Sequence, residues 1–207
     1  MRSMFHLDLS YLSNLAPLIV CIPAATSYVI DKKSGFLNYI FIKLKKKEYF
    51  KIRFAVNALI GGLTILIPET VMLIFMVIRH GINNKHLPDI GGAFGGIYQI
   101  SKPSYAVIIL IMTFIFGIVF STFALGISAI VENKYLTILL PYVYVIISGT
   151  IFEVIGFNKF AYLNVVVLFN ISCKGDLTSI NVILYDIALM FISSVLFFYF
   201  GKKNNNV

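Results

Sequence analysis

The chain has 207 residues, 59% hydrophobic and only 13% charged, and its 17 Lys+Arg against 9 Asp+Glu leave a formal charge of +8. A soluble domain is about 45–50% apolar and about 25% charged, so this chain lacks the polar side chains for a water-facing surface and belongs in a bilayer. The same figures exclude disorder, a disulfide scaffold and a coiled coil. In a membrane chain the basic excess marks cytoplasmic loops, not nucleic acid.

A helix crossing the hydrocarbon layer needs about 17–25 mainly apolar residues. The first such stretch is 9–30, interrupted by Asn14, Pro17 and Pro23. It has the length of a true span and runs straight into Asp31-Lys32-Lys33. Both features argue against a cleaved signal peptide, despite Arg2 and the Ala24-Ala25 pair. The second span is 54–78, with Pro68-Glu69 inside it; the third is 105–131; the fourth, and shortest, is 135–152; the fifth is 180–200, carrying Asp186. The apolar run 160–169 is too short to span and is expected to form an external re-entrant or interfacial helix.

Loop charges orient these spans. Segment 31–53 holds 8 of the 17 cations and a net charge of +6, which puts it in the cytoplasm. The loop 79–104, with its Gly91-Gly92 and Gly95-Gly96 pairs, then lies outside. Glu132-Asn133-Lys134 makes a tight cytoplasmic turn, 153–179 lies outside or dips into the outer leaflet, and Gly201-Lys202-Lys203 ends in the cytoplasm. The expected fold is one all-α transmembrane domain over 1–207, in a cell membrane whose Ile, Lys and Asn bias suggests a bacterial source. No internal repeat and no linker divides it.

Catalytic motifs are absent. There is no G-x-x-x-x-G-K-[ST], H-E-x-x-H, G-x-S-x-G or paired-cysteine zinc spacing. Cys21 and Cys173 stand apart, and His6, His80 and His86 fall in terminal or external segments. The chain is therefore expected to be no enzyme and to bind no metal or cofactor itself.

Two acids sit inside spans, where an ionised Asp costs about 2.5–3.5 kcal/mol at the helix centre. Glu69 and Asp186 either line a substrate path or stay as interhelical hydrogen-bond partners and wetted groups near the surface. Small residues, among them Ala58, Gly61, Gly62, Gly117, Ser121, Ala124 and Ser128, permit close helix packing.

The stretch 31–50 carries apolar residues between charged ends. Leu37, Ile40 or Phe41, and Leu44 recur at helical spacing, which predicts a short helix with one apolar face. Lipid headgroups or a protein partner must cover that face. Lys45-Lys46-Lys47 would meet anionic phosphates, at about 1 kcal/mol per cation.

Here the sequence resembles the permease subunit of type-2 ABC exporters. The similarity runs from Leu15-Ala16-Pro17-Leu18-Ile19 through Asp31-x-x-Ser34-Gly35-Phe36 to Lys46-Lys47-x-Tyr49-Phe50 and Asn57-x-Leu59-Ile60-Gly61-Gly62-Leu63. A looser echo is Phe160-Ala161-Tyr162-Leu163-Asn164, where the family has a short external helix pair. The resemblance implies that 31–44 is a coupling helix docking into a separate ATPase, which holds the ATP and Mg. It assigns ATPase coupling to Asp31, Lys32, Lys33, Gly35, Phe36, Tyr39 and Ile40. Gly35 would turn the chain, Phe36 and Tyr39 would enter the ATPase groove, and Asp31, Lys32 and Lys33 would pair with charges on its rim. A second permease chain, the same or different, would complete the path. Family members usually carry six spans, against five here, so the chain is a shortened relative or one whose start lies upstream of Met1. The alternatives are an ATPase-independent carrier or channel, which predicts midplane acids and repeats, and a membrane immunity or sensor protein that binds without transport.

Overall fold

A computed structural model describes residues 2–81, 94–155 and 179–203. Every element in them is α-helical: α1 (Arg2–Lys33), α2 (Phe36–Lys43), α3 (Lys46–His80), α4 (Gly95–Ile100), α5 (Lys102–Ile130), α6 (Lys134–Ile155) and α7 (Ser179–Lys203). A chain in hydrocarbon must pair its backbone groups internally, and long apolar segments do so as helices. Pro17, Pro23, Pro68 and Pro141 all lie inside helices, as membrane helices tolerate.

Among the described residues four stretches are long and apolar enough to cross a membrane: Leu15–Lys33, Lys46–Arg79, Lys102–Ile130 and Ile180–Lys202. The fold is that of an all-helical membrane protein. They cover the first, second, third and fifth expected spans. The fourth falls on α6, whose apolar part Lys134–Gly149 is shorter. The expected re-entrant helix 160–169 lies outside the described residues.

The helices outrun their apolar runs. Segment 31–53, expected as a loop around one short helix, is helical except for Ser34-Gly35 and Leu44-Lys45. Lysine and glutamate are good helix formers, and long basic side chains keep their charge in water while their stems stay on the helix. So α3 begins at Lys46, about two turns before the apolar run.

Helix α5 is the hub, touching α1, α3, α4, α6 and α7. Ser101 caps its start, accepting a hydrogen bond from the Ser104 amide at 3.5 Å. Small residues let α3 close on α5: a Cβ on Gly117 would stand 2.6 Å from the Gly61 carbonyl oxygen, and one on Gly61 would stand 2.8 Å from that of Gly117. Close approach lets Asn57 reach across. Its Nδ2 donates to the Ser121 carbonyl (2.8 Å) and to Ser121 Oγ (2.7 Å), and Ser121 Oγ donates to the Asn57 carbonyl (2.7 Å). On the other side a Cβ at Gly126 would meet the Ser193 carbonyl oxygen at 2.9 Å, bringing α7 in.

Two apolar clusters fill the bundle. One joins Ala16, Val20, Ile65, Phe120 and Val145, with Tyr144 and Tyr185 packed against it and their hydroxyls hydrogen-bonded to each other. The other lies at the lysine-rich end and is built from Tyr28, Leu37, Tyr49, Phe50, Leu125, Ala129 and Phe197.

Candidate docking site at the lysine-rich end

Helix α2 is anchored by one face and bare on the other. Leu37 is 2% exposed, and Ile40 and Phe41 pack beside it on the aromatic cluster. These three share a face by the i, i+3, i+4 rule. Rings from four helices interlock here: Tyr28–Phe197 and Phe50–Phe197 at 5.4 Å, Phe41–Tyr49 and Tyr49–Phe50 at 5.6 Å, all edge-on. Each such pair is worth about 0.5–1.5 kcal/mol beyond its buried area. Helix α2 is thereby fastened to the ends of α1, α3, α5 and α7.

The opposite face carries Phe36 (50% exposed) and Tyr39 (56%), stacked with ring centroids 6.4 Å apart. Lys43 Nζ lies 5.0 Å over the Tyr39 ring. Ile42 beside them is 82% exposed. This is an aromatic knob with the Lys43 cation over one of its rings.

Short connections hold the knob in place. Gly35 has φ +73°, a left-handed conformation that glycine adopts without strain. The Asn38 amide donates to the Gly35 carbonyl at 3.0 Å, and Ser34 Oγ donates to the Asp31 carbonyl at 3.2 Å. At the far end Leu44 and Lys45 are extended, and α3 starts at once.

Two ion pairs brace the same end. Asp31 Oδ2 lies 3.2 Å from an Arg53 nitrogen, and Arg53 also donates to Ser27 Oγ. Lys32 Nζ donates to Glu132 Oε1 at 3.0 Å. The Lys32 hydrogen bond and charge, with Lys33 nearby, hold the Glu132 carboxyl below its usual range.

The residues expected to couple to an ATPase therefore divide. Gly35 turns the chain; Phe36, Tyr39 and Lys33 are exposed. Ile40 is turned toward the bundle. Asp31 and Lys32 are engaged within the chain. Glu69 and Asp186 are not brought together. Glu69 is half-buried on α3 with Thr113 of α5 in hydrogen-bonding reach. Asp186 is 4% exposed on α7, and its carboxylate oxygens have no hydrogen-bond partner among the described residues. No group of three His, Cys, Asp or Glu among the described residues could hold a metal.

Sequence reasoning missed the bracing residues Arg53, Ser27 and Glu132. Their partners lie up to 100 positions away, and only opposite charge at two helix ends hinted at them. No protein-family profile matches the chain, and no curated protein or solved structure is detectably similar to it.

Proposed function

We propose that this chain is the membrane subunit of an ATP-driven exporter of the type-2 ABC kind, working as a dimer of permease chains with a separate ATPase that holds the ATP and Mg. In this reading α6, 22 residues and so about 33 Å long, also crosses the membrane, as the fourth of five spans. The lysine-rich end and the C-terminus face the cytoplasm of a cell membrane. The observation that carries the reading is the exposed Phe36–Tyr39 stack on a helix whose other face is buried. An exposed aromatic pair with Lys43 over one ring suits a pocket that offers a carboxylate, and aromatic anchors dominate binding energy at interfaces. Because Leu37 and Phe41 join α2 to four long helices, a push on the knob reaches the spans as a rigid-body movement.

The test is to search the neighbouring genes for an ABC ATPase, co-express it, and compare its co-purification with wild type and with the Phe36→Ala/Tyr39→Ala double variant. Wild type is expected to retain the ATPase, and the double variant to lose it and to uncouple hydrolysis from transport. Equal retention by both forms would leave α2 as a lipid-facing interfacial helix. Transport by the chain purified alone would make it a self-sufficient carrier.

A further inference from the structure

We infer that the lysine-rich end carries a binding site for an anionic phospholipid of the adjacent leaflet, between the end of α1 and the start of α6. A cavity of about 470 Å³ opens there, within the usual size of a ligand pocket. It is distinct from the aromatic knob of α2 and does not depend on any ATPase.

Its lining is divided by chemistry. Val29, Ile30 and Tyr135 form an apolar wall, and Lys33 and Lys134 supply cations. Neither lysine has a carboxylate within 4 Å among the described residues, whose two ion pairs join other residues. Lys32 and Asp31 next door are paired with Glu132 and Arg53; Glu132 also feels the charge of Lys33, but its short contact goes to Lys32, which leaves the pocket lysines without an ion pair among the described residues. Lys134 Nζ lies 5.1 Å over the Tyr135 ring, holding a cation directly beside the apolar wall.

Position selects the occupant. The pocket lies where a membrane-crossing stretch ends, at Lys33, and where α6 begins, at Lys134. That is the level of lipid headgroups. Ile30 (52% exposed) and Tyr135 (64%) leave the apolar wall uncovered by the rest of the chain. A free anion would use the two lysines and gain nothing from that wall. A lipid phosphate with its acyl chain uses both.

The intact chain in mild detergent, titrated with dioleoyl phosphatidylglycerol or dioleoyl phosphatidylcholine and read by native mass spectrometry, tests this. Wild type is expected to retain phosphatidylglycerol preferentially. A cation near anionic headgroups is worth about fivefold in affinity, so Lys33→Gln/Lys134→Gln is expected to weaken phosphatidylglycerol by about 30-fold and abolish the preference. Lys43→Gln/Lys45→Gln removes as much charge outside the pocket and is expected to keep it. Equal binding of the two lipids by wild type, an unchanged pocket variant, or an equal loss in the control variant would overturn the assignment. So would full displacement of the lipid by excess inorganic phosphate, which would make the site one for a free anion.

Discussion

Lys32, in the last turn of α1, and Glu132, in the turn between α5 and α6, lie 3.0 Å apart across 100 positions of sequence. The pair locks the hairpin of α5 and α6 to the end of α1, from which the knob-bearing α2 departs. With Asp31–Arg53 tying α1 to α3, three chain segments converge on the root of that short helix.

The Lys32–Glu132 pair has a pH signature. Glu132 titrates below its ordinary 4.5, so its contribution is complete above that value and disappears as pH falls through the lower folded-state value. Thermal unfolding of wild type and Glu132→Gln in detergent, followed by circular dichroism, is expected to differ most near neutrality and to converge in acid. The difference stays small because the carboxylate is exposed to solvent.

The two faces of α2 separate in their response to truncation. Leu37→Ala opens a cavity in the aromatic cluster and is expected to cost about 2–5 kcal/mol of stability. Phe36→Ala removes an exposed ring and is expected to stay within about 0.5 kcal/mol. Unfolding midpoints of the two variants, measured side by side, check the assignment of faces.

Gly35 is held for its backbone. A Cβ there would meet nothing within 4 Å, so space is not the constraint. Its positive φ is. Gly35→Ala is expected to lose about 1–2 kcal/mol, and Gly35→Asn less, because Asn tolerates the left-handed region. Unfolding midpoints that fell equally in both variants would contradict this.

At the α3–α5 contact, Gly117→Ala drives a methyl group into the Gly61 backbone. Overpacking of this kind costs about 1–3 kcal/mol, which a lowered unfolding midpoint should register. A chain in which Gly61→Ala and Gly117→Ala were both silent would have its helices further apart than described.

Asn57→Ala removes the side chain bridging α3 to Ser121. Interhelical hydrogen bonds in membranes average about 0.6 kcal/mol and reach about 1.7. The buried, multiply bonded position puts the expected loss at the upper end, and restoring the amide as Gln is expected to recover only part of it because the longer arm must shift Ser121.

Residue order alone determined the all-helical membrane class, because apolar runs of span length leave the backbone no partner but itself. It also placed a short amphipathic helix between Asp31 and Lys47 and the small residues Gly61, Gly117 and Ser121 at a close contact. Local spacing carries all of this. The sequence assigned the face of Leu37, Ile40 or Phe41, and Leu44 to lipid headgroups or a partner; the structure instead buries Leu37 against the chain's own helices and leaves Leu44 beyond the end of α2, 42% exposed. Leu37, Ile40 and Phe41 share one side, Phe36 and Tyr39 the other. Only the assembled ends of α1, α3, α5 and α7 decided which side turns inward, by offering Tyr28, Phe50, Leu125 and Phe197 as a cluster for Leu37 to enter. The same holds for Asp31 and Lys32. Their charges were legible, but engagement with Arg53 and Glu132 follows from helices meeting in space, which a one-dimensional pattern does not encode.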